Sequence, residues 1–315
     1  VLRLAREQFK FADDIEVTVE GRVRGFTADK AKVWMDAGVN RFSLGLQSSD
    51  TALRRKLGRL ADREEIVRNL NGLSALGAVV IVDLIYGLPG QTVEMIREDI
   101  RFLAEETGVD GLDLYALKPF PGSPMMQAVE AGRLPVPADA VQRGHMYESA
   151  SEALNGYGFE HFTPQHWRRS DRERSIYNRL AKVDADILPF GSSAGGHLGP
   201  VSIMNERDLE RYRERVSSET VPGMMMGNPD HVADAPPFRL VLAEALERRR
   251  LPPLQQWPDA TRGIRHQLLA NWTAAGLVEP GHGDGAINLT RAGCFWATHL
   301  QKVLLGLEAA TSRAA

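Results

Sequence analysis

The stretch Val79-Val80-Ile81-Val82-Asp83-Leu84-Ile85-Tyr86-Gly87-Leu88-Pro89-Gly90-Gln91-Thr92 reads as one strand and its exit turn. Apart from Asp83 the run is apolar, as in a parallel strand covered on both faces, and the Gly-Leu-Pro-Gly segment ends it. An unpaired carboxylate inside such packing costs several kcal/mol. Asp83 is therefore expected to face a polar lumen or a ligand.

Working outward, Ile15–Glu20, Val39–Gln47 and Gly111–Leu117 also read as strands, and amphipathic stretches separate them. Thr27 is placed to cap a helix over Ala28–Ala37 that Gly38 ends. Asp62 is placed to cap Arg63–Leu76, ended by Gly77, and Thr92 begins a helix toward Thr107. This alternation predicts an α/β fold, a parallel sheet with helical crossovers, closed or open. Pro119-Phe120-Pro121-Gly122-Ser123-Pro124 and Leu134-Pro135-Val136-Pro137 break the pattern, so a first domain is expected over 1–137 and a mainly helical second over 138–315. Near the end, Arg265–Ala275 reads as a helix, Gly276–Glu279 and Gly285–Thr290 as a small β wing, and Arg291–Leu305 as a last helix.

The chain of 315 residues is 43% hydrophobic and 25% charged with net charge −3, so no basic excess points to nucleic acid. No apolar run approaches the ~20 residues of a membrane-spanning helix, and the first residues lack a signal-peptide profile, so a cytoplasmic location is expected. Cys294 is the one cysteine, which leaves no internal disulfide.

With Asn40-Arg41-Phe42-Ser43-Leu44-Gly45-Leu46-Gln47-Ser48, the Asp83 segment resembles the radical S-adenosylmethionine (SAM) enzymes of the oxygen-independent coproporphyrinogen III oxidase group. The resemblance implies that the four strands are strands three to six of a six-strand partial barrel. It also implies a winged-helix-like module over about 237–307. Members hold a [4Fe–4S] cluster through three cysteines spaced C-x3-C-x2-C, which a chain with one cysteine cannot supply. The chain, starting at Val1, is accordingly expected to be a fragment lacking the first barrel units, inactive alone.

Period-two alternation places Ser43, Gly45 and Gln47 on one face of their strand, and Glu16, Thr18 and Glu20 on one face of theirs. Glu20, Gln47 and Asp83 lie toward C-terminal strand ends, where barrel enzymes place ligands. The resemblance assigns SAM contacts to Glu20, Gln47, Arg59 in Leu57-Gly58-Arg59, and Asp83, with backbone-type contacts at Ala116 and Gly195. Carboxylates and amides suit the ammonium and ribose diol of SAM, and an arginine suits its carboxylate. Arg59 taken alone reads as a solvated surface residue, and the alternative for Asp83 is a strand-end carboxylate capping the turn.

The loop Glu20-Gly21-Arg22-Val23-Arg24 and the Gly195-Gly196 pair depart from the coproporphyrinogen oxidases. The chain more closely resembles the sister group of haem-utilisation radical SAM methyltransferases, which open haem anaerobically. For a haem-sized substrate, Tyr115, His166 and Arg169 are candidate contacts, since Gln165-His166-Trp167-Arg168-Arg169 offers an iron ligand, an aromatic surface and propionate partners. Against that, Arg168–Arg174 alternates charge as a solvated helix start does. Met224-Met225-Met226 reads as a flexible loop or core filler, and Cys294 as a small buried apolar residue. The resemblance implies haem ring opening with methyl transfer from SAM, and an electron donor such as a flavodoxin. Coproporphyrinogen III oxidation and haem transfer by a chaperone are the alternatives.

Overall fold

A computed structural model describes residues 1–182, 185–199, 201–227, 238–281, 285 and 287–312. They divide into two units, Val1–Arg174 with Thr290–Trp296, and Ser175–Leu289 with Ala297–Ala315. The first unit thus runs past residue 137. It contains α1 (Leu2–Gln8), β1 (Thr18–Arg22), α2 (Ala28–Asp36), β2 (Arg41–Gln47), α3 (Thr51–Lys56), α4 (Arg63–Ala75), β3 (Val79–Tyr86), α5 (Val93–Glu106), β4 (Gly111–Ala116), α6 (Pro124–Glu130), α7 (Ala140–Gly156), β5 (Glu160–His161) and β6 (His166–Arg168).

The expected strands form one open sheet in the order β1-β2-β3-β4-β6-β5. β1 to β4 are parallel, as right-handed helical crossovers require, and β6 and β5 add antiparallel. These last two were not foreseen. One sheet face is apolar: Phe42, Leu44, Leu46, Val80, Val82, Leu84, Leu112 and Leu114 are fully buried. Ile66, Leu70 and Leu73 of α4 and Ile96, Ile100 and Leu103 of α5 are fully buried too, giving those helices their apolar side. Asp62 and Thr92 cap α4 and α5 through Glu65 and Met95 backbone N–H groups. Thr27 has cap geometry at α2 but makes no side-chain cap bond, a departure from expectation.

The turn after β3 uses Gly87 and Gly90 at φ +86° and +78°, conformations that disfavour a side chain. Gln91 stitches it: its Oε1 accepts from Leu88 N at 3.1 Å and its Nε2 donates to Ile85 O at 3.1 Å.

The second unit contains α8 (Ile176–Leu180), β7 (Gly195–Leu198), β8 (Val201–Asn205), α9 (Leu209–Ser217), β9 (Gly223–Gly227), α10 (Phe238–Glu247), β10 (Arg250–Leu251), α11 (Arg265–Ala274), β11 (Val278–Pro280) and β12 (Ile287–Leu289). This C-terminal region is helical with two small sheets, β7-β8-β9 and β10-β12-β11. The strands of the expected wing pair antiparallel, while its residues 282–284 and 286 lie outside the described residues. The expected last helix is two, α12 (Arg291–Phe295) in the first unit and α13 (Ala297–Ser312) in the second, divided at Trp296. Met224, Met225 and Met226 form an exposed strand rather than a loop or core filler. Among the described residues, no helix is long and apolar enough to cross a membrane.

Candidate functional site

The polar face of the first unit's sheet builds the site. Strand pairing sets Arg22, Gly45, Asp83, Asp113 and His166 on one rung, since each is the register partner of the next. Beyond that rung, toward the C-terminal ends of the strands, lie Gln47, Ile85 and Tyr115. A bulge between Gly45 and Gln47, with Gln47 at φ +71°, turns its side chain back over the strand ends. In the amide orientation that satisfies both its ends, Gln47 donates to the Asp83 carbonyl at 3.2 Å and accepts from Arg59 Nη2 at 2.9 Å. Arg59 Nη1 donates to Gly45 O at 2.7 Å. Gly45 leaves room for this arrangement, because a Cβ there would meet the Gln47 amide at 2.9 Å and push it aside.

Electrostatics tie this mouth together. Burial, then the like charges of Asp113 and Glu20, push the Asp83 carboxyl up to about 6, with Arg41 and Arg59 opposing. Burial and neighbouring Arg22 lower the Arg59 guanidinium, with Asp83 opposing. Tyr115 is raised by burial and by Asp113 and Asp83. Glu20 is exposed on the edge strand β1, paired with Ser43 two residues before the rung of Asp83, and its charge reaches that carboxyl.

Beneath the mouth is a buried charge network. His166 Nδ1 bonds Asp113 Oδ1 at 3.0 Å. Its Nε2 lies 3.3 Å from Glu173 Oε1, close enough for charge attraction though off the line a hydrogen bond needs. Arg41 clasps Glu173 with two bonds of 2.9 Å, Nε to Oε2 and Nη2 to Oε1. For His166, burial lowers the pKa, but the bond to Asp113 and the two carboxylate charges outweigh it and hold it at about 9. Burial raises Glu173, yet His166 and Arg41 bring it down to about 2. The imidazole is therefore an imidazolium at neutral pH.

Behind the loop after β2, Asp99 of α5 accepts through Oδ1 from Ser49 N at 2.6 Å, Ser49 Oγ at 2.6 Å and Ser48 Oγ at 3.1 Å. Arg54 binds the Leu46, Ser48 and Ala61 carbonyls, so the segment after Gln47 is held from both sides.

Of the residues singled out from sequence, the structure brings together Gln47, Arg59, Asp83 and Tyr115, with Glu20 on the edge strand two residues below the Asp83 rung. Ala116 lies at the end of β4, paired with Tyr86. Gly195 opens β7 in the second unit. His166 sits at 2% exposure between two carboxylates rather than free to ligate iron. Arg169 has a different task from propionate binding: its guanidinium binds the Ala104 and Thr107 carbonyls at the end of α5 and covers the Phe159 ring. Arg41, Asp113 and Glu173 were missed. Asp113 carried the same signal as Asp83, an acid within an apolar strand.

A partial α/β barrel with its polar groups at the strand mouth is the architecture of ligand-binding barrel enzymes. Residues 1–103 match the model of the radical SAM superfamily. Anaerobilin synthase of Escherichia coli O157:H7 is 36% identical over 306 residues, covering 96% of this chain and 67% of that protein. The heme chaperone HemW of Bacillus subtilis is 26% identical, covering 67% of this chain and 55% of that protein. The structure of coproporphyrinogen III oxidase (HemN) from Escherichia coli, at 22% identity, superposes with a TM-score of 0.76 over 96% of this chain and 72% of that one. The chain belongs to the radical SAM superfamily, in the group of tetrapyrrole proteins that includes anaerobilin synthase, HemW and oxygen-independent coproporphyrinogen III oxidase. It spans about two thirds of the first relative and about half of the B. subtilis HemW and E. coli coproporphyrinogen oxidase sequences.

The superfamily implies SAM and a [4Fe–4S] cluster. The residues present do not fit the cluster: Cys294 is the one thiol, is buried at 2% exposure in α12, and cannot replace three thiolates. Among the described residues, no group of His, Cys, Asp or Glu is placed to hold a metal.

Proposed function

We propose that the mouth of the first unit's sheet binds SAM, and that the chain is part of an enzyme that opens the haem macrocycle with methyl transfer from SAM. The observation that supports it is the convergence of Gln47, Arg59 and Asp83, bonded or charge-coupled, at the strand ends of a chain related to anaerobilin synthase. In this reading Gln47 and Asp83 take the ribose diol, Arg59 the carboxylate and Glu20 the ammonium. Ala116 offers backbone contacts, and Tyr115 lies where a substrate would meet the mouth. The chain's own residues bind and orient. The thiolates for the cluster come from outside it, so the chain alone turns nothing over. An electron donor such as a flavodoxin belongs to the proposal, as do the haem substrate and a cytoplasmic location.

Anaerobic incubation of the cluster-bearing enzyme with haem and SAM, followed by product analysis, tests the reading. A methylated linear tetrapyrrole is expected. Protoporphyrinogen from coproporphyrinogen III would assign it to the oxidases, and unaltered haem passed to an acceptor would make it a chaperone.

A smaller test probes the mouth itself. Gly45→Ala puts a Cβ 2.9 Å from the Gln47 amide, the movable end of a flexible side chain. Folding is expected to be nearly unchanged. SAM affinity is expected to fall by about 0.5–1.5 kcal/mol, one hydrogen bond's worth, as read by equilibrium dialysis.

A further inference from the structure

Four buried groups of alternating sign, Arg41, Glu173, His166 and Asp113, form a chain that abuts a second carboxylate, the ligand-facing Asp83. Its links are two bonds of 2.9 Å, a contact of 3.3 Å, a bond of 3.0 Å and a shared strand rung. Asp113 and Asp83 are adjacent like charges, and two such carboxylates tend to share one proton. We propose that His166 is a positioning residue of the lumen: a cation locked between Asp113 and Glu173, it offsets Asp113 so that Asp83 presents a carboxylate, not a carboxylic acid, to its ligand.

Distances separate this role from iron ligation or direct substrate contact, because both imidazole nitrogens face carboxylate oxygens within 3.3 Å. The groups surrounding the Asp83–Asp113 pair are Glu20 and Arg22 of β1, Arg41 of β2, Arg59 after α3, Tyr115 of β4 and His166 of β6. Glu16, 4.0 Å from Arg41, and Glu173 complete the lower end. Of the cations, Arg41 is engaged by Glu173 and Arg59 by Gly45 and Gln47, Arg22 is exposed on the edge strand, and His166 is bonded to Asp113.

The ligand-facing part rests on the SAM reading, whereas the charge relation does not, and the test reads the charge without SAM. Aspartate carboxyl 13C NMR of this chain across pH, with Asp83 and Asp113 assigned through Asp83→Asn and Asp113→Asn, follows the pair directly. In His166→Gln the pair is expected to take up its first proton about one pH unit or more higher than in wild type. In Asp113→Asn, Asp83 is expected to titrate lower than in wild type. A lumen that merely loosened would admit water and lower the midpoint in both variants, and that outcome, or no change in His166→Gln, overturns the proposal. Should His166→Gln not fold, 15N NMR of the wild-type imidazole decides: both nitrogens protonated at about pH 7 supports the lock, and a neutral ring refutes it. With SAM added, His166→Gln should then bind roughly twofold more weakly at about pH 7, about fivefold more weakly at about pH 6, and regain affinity as pH rises. If the NMR shifts occur and SAM affinity does not follow, the charge relation stands and the SAM assignment of Asp83 fails.

Discussion

With glutamine in place of Glu173, unfolding of the first unit is expected to become ~3–5 kcal/mol easier. Glu173 is fully buried, accepts both bonds from Arg41 and faces His166. The amide keeps the shape but leaves two cations without their shared anion and aims an NH2 group at a donor. Urea denaturation of both proteins measures the difference, and a loss below about 1 kcal/mol would mean that water already screens the network. The pH dependence adds a sign. Glu173, held at about 2 against an ordinary value of about 4.3, contributes stability that is present above the latter and lost as pH falls toward the former. His166, held at about 9 against about 6.5, contributes stability that is full below about 6.5 and lost as pH rises through about 9. Asp83 and Asp99, raised to about 6, act in the opposite direction to Glu173: their contribution is present below about 3.9 and lost as pH rises through about 6. They do so in both proteins. The wild-type minus variant difference is therefore expected to be largest between about pH 4.5 and 6.5 and to shrink on either side.

Asp83→Asn is expected to weaken SAM binding by about 1.5–3 kcal/mol, roughly 10- to 150-fold, in the cluster-bearing enzyme. The substitution keeps shape and removes charge-assisted bonds. Its effect on folding has the other sign, because Asp83 is repelled by Asp113 and Glu20, so the melting temperature is expected to hold or rise. Were Asp83 a turn cap, its loss would lower the melting temperature and spare SAM. The turn already has its own clasp in Gln91. Calorimetric SAM titration and a melting curve on the same variant separate the two, and unchanged affinity sinks the ligand role.

Asp83 was legible because one acid in an apolar strand is anomalous, and period two then found Gln47's face. The same rule applied to Gly111-Leu112-Asp113-Leu114-Tyr115-Ala116 would have found Asp113. Glu173 had no such signal. It stands in a run of alternating charges that resembles solvated surface, and only tertiary pairing with Arg41, far back in sequence, shows it buried. β5 and β6 are two and three residues long, too short for periodicity to register. Missing β6 also misread Arg169, since strand alternation sends His166 and Arg168 to one face and its neighbours to the other. The helix break at Trp296 was hidden for another reason: Arg291–Leu305 is continuous in propensity, and its two parts belong to different compact units.

The strands divide their labour along their length. Arg41, which clasps Glu173, begins β2, whereas Gln47, which reaches Arg59 and Asp83, ends it. Substitutions at the mouth end therefore leave the Arg41–Glu173 clasp in place, whereas loss of the clasp is felt at the mouth as well. A lineage carrying this sheet can exchange residues at the rim while the locked base keeps the fold heritable. Rim variants that change ligand preference should accordingly be far easier to recover from a random library than variants of the base.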